Sequence, residues 1–344
     1  MPIKTVQRLI HLRTQKNQQI LQNVARLWEL GRHAQTEQEI LDGLHPWGKH
    51  NELKFYNTLP KILVILGICS ILLGWFLHPY LPYVLSALSG AGCFFLAFLI
   101  YESHDPIEEV IEYLEQRIML LKFDLHFQSM PSIFAKTSNS TLMLSQLKQL
   151  FPLFTQGSLS NEIGLYASTT WVDETGVSRP VMLFQYHYVS DFKMPSTDGK
   201  LQKIKEIHQD LWGAFIFQTP ALAFAASDKR KTFFYPYHFK WQSSDILLNQ
   251  KIHLFGDSQQ HLARNISPSM TLKLADFFEE NSGDLISHFQ ESIIFFMGEN
   301  NLLRRSNKKQ ADDIRNISEL RGYLRTLNMP AYQQFQQSML KFLS

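Results

Sequence analysis

Cysteine is nearly absent from this chain. The two present, Cys69 and Cys93, both sit inside long apolar runs, so the polar remainder has no disulfide to form. An excess of charge of either sign is missing too. A formal charge of +2 over 344 residues excludes the bulk basic character that marks nucleic-acid binders, so no nucleic-acid partner is expected. No Gly-rich phosphate cradle, Walker lysine motif or kinase signature occurs, which removes the sequence grounds for nucleotide chemistry. There is no internal repeat and no extended low-complexity tract.

The absence with the largest consequence is local. Residues 62–77, ILVILGICSILLGWFL, and 81–101, LPYVLSALSGAGCFFLAFLIY, contain no Asp, Glu, Lys, Arg or His. As helices they span about 24 and about 32 Å, at about 1.5 Å per residue, against a hydrocarbon core of about 30 Å. One such run is explained by the core of a globular protein. Two back to back, joined by His78-Pro79-Tyr80, predict an antiparallel transmembrane hairpin with helices over about 60–78 and 81–101. About sixty largely polar residues precede the first run, which excludes a cleaved signal peptide. Lys49, Lys54 and Lys61 flank the first span, the connector has no basic residue, and Arg117 alone follows the second within about twenty residues. That asymmetry predicts an outside connector and two cytoplasmic termini.

Intramembrane ionisable groups are the usual mark of an ion or substrate path, and neither run has one, so a transporter is not predicted. Small residues are plentiful instead. Gly67, Ser70 and Gly74 fall on one helix face and Ser86 and Gly90 on the other helix, where they let backbones approach closely. The pattern predicts packing of the two helices on each other or on a second copy, hence a homo-oligomer.

The rest of the chain divides by periodicity. Residues 1–57 form an N-terminal cytoplasmic helical segment, with Val6, Ile10, Ile20, Val24 and Leu27 on a 3/4 spacing that Arg13 and Asn17 interrupt and with Gly31 as its stop. Residues 58–101 hold the two spans. Residues 102–156 read as a helical stalk, striped by Ile107, Val110, Ile111, Leu114, Ile118, Leu121 and Leu125 and broken at Pro131. From 157 to 303 the period turns to alternation. IGLYASTTWV and VSRPVMLFQYHYV form a hairpin about DETG, SDFKMPSTDGK is a polar loop, and LWGAFIFQ, KTFFYPYHF and KIHLF are strands. A helix capped by Ser267 with Pro268 at its first position follows, then a last hairpin, LISHFQESIIFFMG. Residues 304–344 are a basic linker, RRSNKK, and C-terminal helices. The fold class is a membrane protein: a two-helix transmembrane hairpin with a helical stalk and a cytoplasmic antiparallel α+β domain.

Candidate chemistry is sparse. FGDS at 255–258 resembles the nucleophile block of GDSL-type serine esterases, but a serine hydroxyl needs an imidazole base and the D-x-x-H those enzymes use does not occur here. A strand ending in a Gly-Asp turn accounts for the string. The alternative is a membrane-tethered serine hydrolase using Ser258 with His253 or His261. His187, His208, His238, His253, His261 and His288 never occur as H-x-H, H-E-x-x-H or with a cysteine, so neither a metal nor another cofactor is expected. In FFYPYHFKW alternation sends Phe234, Tyr235, Tyr237 and Trp241 to core or to an interaction surface. Arg304, Arg305, Lys308 and Lys309, with Lys229, Arg230 and Lys231, suit an anionic lipid surface.

This order of elements, with LWGAFIF at 211–217 and IHLFGDSQQHLARNISPSMTLKL at 252–274, resembles the bacterial integral membrane proteins of domain-of-unknown-function family 3137. The resemblance implies a multi-pass protein of the bacterial inner membrane with no established activity and no catalytic residues to carry over. It also implies that KIHLFGDS is a strand and turn feeding a helix. The function expected is that of a membrane-anchored interaction or scaffolding protein whose partners are membrane lipid, further copies of itself and a protein not identified by the sequence.

Overall fold

A computed structural model describes residues 14–76, 82–131, 140–194, 203–228, 237–243, 246–289, 291–306 and 313–344. Outside these lie Val6, Ile10, the connector, Pro79 included, and Lys229, Arg230, Lys231, Phe234, Tyr235, Lys308 and Lys309. The chain forms two compact units, one of Met1–Lys122 with Asn307–Leu327 and one of Phe123–Ser306 with Asn328–Ser344.

The helices in chain order are α1 (Gln15–His33), α2 (Glu37–Gly43), α3 (Thr58–Phe76), α4 (Tyr83–Ile100), α5 (Asp105–Phe123), α6 (Ser140–Leu150), α7 (Ile246–Lys251), α8 (Gln259–Asn265), α9 (Pro268–Glu280), α10 (Ile317–Arg325) and α11 (Pro330–Leu343). The strands are β1 (His126–Phe127), β2 (Ser160–Val172), β3 (Ser178–Met194), β4 (Lys203–Phe217), β5 (Phe224–Ser227), β6 (Phe239–Trp241), β7 (His253–Gly256), β8 (Asp284–Ser287) and β9 (Ile293–Gly298).

In the first unit α3 and α4 are long and apolar enough to cross a membrane. Most of their large apolar side chains are exposed: on α3 only Pro60, Gly67 and Gly74 are buried, while Trp75 and Phe76 are 72% and 77% exposed, and on α4 the buried residues are Gly90, Ala97 and Leu99. The stripe of α5 is buried through Ile107, Val110, Ile111, Leu114 and Ile118. It packs on α1, where Trp28 stacks on Tyr113 with ring centroids 4.3 Å apart and Arg117 donates to the Ala34 carbonyl at 2.9 Å. Gly31 is therefore not the stop that its residue type suggests. The helix runs on to His33, and a Cβ at Gly31 would collide with Tyr113 and Leu114, so glycine serves a close helix crossing. α2 and α10 start with the same device. Thr36 caps Glu39 while Glu39 accepts from Gln35 N–H, and Asn316 caps Glu319 while Glu319 accepts from Arg315 N–H. Residues 51–53 then pair with 315–317 through Leu53 N–H to the Arg315 carbonyl and Ile317 N–H to the Asn51 carbonyl, both at 2.8 Å.

The second unit is an antiparallel sheet with helices, ordered β1-β2-β3-β4-β9-β8-β5-β7-β6 among the described residues. Alternation along β3 and β4 sends Met182, Phe184, Tyr186, Phe215 and Phe217 to one face, where Leu144 and Leu147 of α6 and Phe151 and Phe154 behind it complete a core. On the other face Phe296 meets Phe277 of α9 and Phe335 of α11, and Trp171 donates to the Tyr332 hydroxyl at 3.0 Å. Each fully buried aromatic contributes about 1.5–3 kcal/mol, so these two layers dominate the unit's stability. Strand β9, covered on both faces, reads as the uninterrupted run IIFFMG for that reason.

Expected boundaries differ at several points. The stretch 102–156 is no single stalk, since α5 belongs to the first unit and α6 to the second; residues 304–344 divide likewise between α10 and α11. Residues 190–194 of the expected polar loop belong to β3, whose ladder with β4 continues to Met194 opposite Lys203. Of KTFFYPYHF only residues 237–239 are described, and Phe239 begins β6.

The β2–β3 turn carries a buried carboxylate. Asp173 accepts from the Thr175 hydroxyl at 2.6 Å, from Val177 N–H at 2.9 Å, and from Arg179 and Thr175 N–H, each at 3.0 Å. Led by the Thr175 hydroxyl, these donors outweigh burial and hold its carboxyl down at about 2. A depressed carboxyl pKa stabilises the fold above its unfolded value and loses that contribution as pH falls through the folded value. Asp173→Asn should therefore lower the melting temperature near neutral pH, with the gap to wild type closing between about pH 4 and about pH 2. Melts in detergent across that range check it.

Candidate functional site

At the end of β7 the chain turns into α8, and Ser258 is the residue before the helix. Its backbone is extended, and its hydroxyl oxygen accepts from His261 N–H at 3.2 Å, satisfying a helix-terminal donor. The His261 ring faces Asp257, with Nδ1 2.7 Å from Oδ2 and the side chain 57% exposed. Asp257 and His261 thus pair with each other. The hydroxyl of Ser258 takes the position of an N-cap rather than that of a nucleophile hydrogen-bonded to a base. His253 lies half-buried in β7.

The other histidines are dispersed. His187 and Asp210 face each other across β3 and β4 at 2.8 Å, Gln185 donates to the same carboxylate at 3.0 Å, and the His208 ring lies 5.6 Å from that of His187. The His187 hydrogen bond is the main reason the Asp210 carboxyl sits below its ordinary value. His288 is buried beside Phe151 and Phe289, and burial pushes its imidazole down toward the neutral form. His238 is exposed. Among the described residues no group of three or more His, Cys, Asp or Glu side chains could hold a metal ion.

Of the aromatic residues expected in the core or at an interaction surface, Tyr237 is buried: its ring joins the core cluster and its hydroxyl donates to the Ser287 carbonyl. Trp241 is half-buried in β6, Arg304 is exposed, and Arg305 is half-buried.

The small residues of α3 and α4 meet one another. A Cβ at Gly67 would lie 3.1 Å from the Gly90 carbonyl oxygen, a Cβ at Gly74 would strike Ser86, and the Ser70 hydroxyl donates to the Ser86 carbonyl at 3.1 Å. Close approach of the two helices thus runs from Gly67 to Gly74 on α3 and from Ser86 to Gly90 on α4.

Before α3 and after α4, two asparagines stand in for missing backbone. Asn57, just before α3, donates through Nδ2 to the Glu102 carbonyl at 2.8 Å and accepts Glu102 N–H on Oδ1 at 3.1 Å. Asn17, fully buried on α1, does the same for Tyr56, donating to its carbonyl at 3.4 Å and accepting its N–H at 2.9 Å. Entry and exit of the apolar helices are tied together and to α1. The tie bounds a cleft of about 620 Å³ whose walls include Lys54, Tyr56, Lys61, Tyr101, His104 and Arg315. Tyr56 donates to Glu52 at 2.6 Å, and that carboxylate above all raises its phenol pKa. Sequence reasoning missed Asn17, Asn57, Glu102, His104 and Arg315 as a group. The only signal was Asn17 itself, a polar residue interrupting an apolar stripe.

No protein-family model, no curated protein and no solved structure matches this chain.

Two outcomes follow from these geometries. Replacing Asn17 by Leu leaves the Tyr56 N–H and carbonyl without partners and should cost about 2–4 kcal/mol, seen as a lowered melting temperature in detergent. Ser258→Ala should cost about 1 kcal/mol and Ser258→Gly only a few tenths, as for a helix cap. Wild-type labelling by a fluorophosphonate probe that Ser258→Ala abolishes would instead establish a nucleophile.

Proposed function

We propose that this is a multi-pass protein of the bacterial inner, that is cytoplasmic, membrane, with both termini cytoplasmic, acting as a membrane-anchored interaction or scaffolding protein. Membership of family 3137 is part of the same proposal. It rests on LWGAFIF, which forms the end of β4, and on residues 252–274, which form β7, α8 and the start of α9.

Anchoring is supported by helices α3 and α4, whose large apolar side chains face outward, a state that costs about 25 cal/mol per Å² in water and nothing among acyl chains. The Asn57–Glu102 pairing supports a hairpin that enters and leaves on one side. Lys49, Lys54 and Lys61 at that side support its cytoplasmic placement.

The observation that carries the interaction reading is the β6 edge of the sheet. Among the described residues β6 pairs only with β7, Phe239 is 53% exposed on it, and Ile246 beyond it is 72% exposed. A strand edge unpaired among the described residues, with adjacent apolar side chains, suits the addition of a partner's strand. Either a second copy or another protein fits this description, and the reading includes an oligomer.

A photo-crosslinking residue in place of Phe239 should trap a protein partner in cells, with one in place of the exposed Leu272 on α9 trapping none. Native mass spectrometry from lipid should show more than one copy. A monomer with no crosslinked species at position 239 would falsify the proposal.

A further inference from the structure

The cleft at the hairpin base does not end at the polar boundary. Lys61 and Tyr101 belong to its wall and also to the wall of a groove of about 610 Å³ that runs along the outside of α3 and α4. The groove is lined by Val64, Ile65, Phe94 and Phe98 in addition to those two residues, and its surface is almost wholly apolar. The cleft also has much apolar surface, but it carries charge. Lys54, Lys61 and Arg315 bring three positive charges against the single carboxylate of Glu52, and Tyr56, His104, Asn51 and Asn316 add polar groups.

A cleft with three cationic side chains that shares two lining residues with an apolar groove matches a molecule having an anionic head and a hydrocarbon tail. Tyr101 and Lys61 at the junction suit the boundary between headgroups and acyl chains, where an aromatic ring and an alkyl stem bury their apolar parts and keep the polar tip wet.

We propose that this cleft and the adjoining groove bind one anionic phospholipid, the phosphate beside Lys54, Lys61 and Arg315 and one acyl chain along Val64, Ile65, Phe94 and Phe98. The site rests on the membrane reading above but is more specific than it. Arg315 comes from the far end of the chain, delivered by the pairing of 51–53 with 315–317. A bound lipid therefore bridges the hairpin to the segment that precedes α10.

The test uses the full chain in detergent micelles and native mass spectrometry with phosphatidylglycerol, phosphatidylcholine and inorganic phosphate as probes. Wild type should retain phosphatidylglycerol about tenfold over phosphatidylcholine, and Lys61→Gln combined with Arg315→Gln should erase that preference. Lys49→Gln, which removes a basic residue outside the cleft, should leave it intact. Ile65→Trp, filling the groove from an exposed position, should lower retention of both lipids. Equal retention of the two lipids by wild type, a preference that survives the double variant, or displacement of phosphatidylglycerol by inorganic phosphate would each overturn the proposal. Alkaline carbonate extraction from vesicles, run in parallel, separates the two readings. A chain that resists carbonate yet shows no lipid preference refutes the lipid site alone, and a chain released by carbonate refutes the membrane anchoring beneath it.

Discussion

A chain that passes into and out of two apolar helices must find partners for the backbone groups at their ends, and in this protein two asparagine side chains supply them. A carboxamide offers a donor and an acceptor in the spacing of a peptide group, so Asn57 pairs with both polar atoms of Glu102 and Asn17 with both of Tyr56. An unpaired buried peptide group costs about 1–3 kcal/mol, comparable with much of a domain's net stability. The pairings bring the start of α3, the end of α4 and the first turn of α1 to one place. The cleft with Lys54, Lys61 and Arg315 is what that convergence leaves between them.

The second unit obeys a different economy. Its sheet is covered by helices on both faces, so inner strands such as β9 lose the alternation that marks a half-exposed strand. Where alternation persists, along β3 and β4, one set of side chains feeds the aromatic core and the other carries Gln185, His187, His208 and Asp210. Ser258 belongs to the frame of this unit. Its hydroxyl closes the first turn of α8, the same service that Ser267 performs for α9 and Asn316 for α10.

Much of this was legible locally. Two runs without charge announced helices over about 60–78 and 81–101, and helices occupy Thr58–Phe76 and Tyr83–Ile100. Ser267 with Pro268 marked the start of α9, and the hairpin about DETG is the β2–β3 pair. Gly31 shows where local inference ends. Glycine after an amphipathic run suggests a stop, but Tyr113 of α5 lies against it, and no feature near residue 31 in the chain discloses that neighbour. Asn17 looked like a flaw in a stripe for the same reason, its partner being 39 residues away.

By itself the sequence determined what depends on neighbours in the chain: which segments avoid water, which alternate, and where helices are capped. Tertiary structure alone decided which segments became neighbours. It placed β9 between β4 and β8, assigned α10 and α11 to different units, and brought Arg315 to the base of α3. The reason is physical. Propensity and periodicity act within a few residues, whereas a buried polar group is satisfied by whatever partner the packed chain brings within about 3 Å, however distant in sequence.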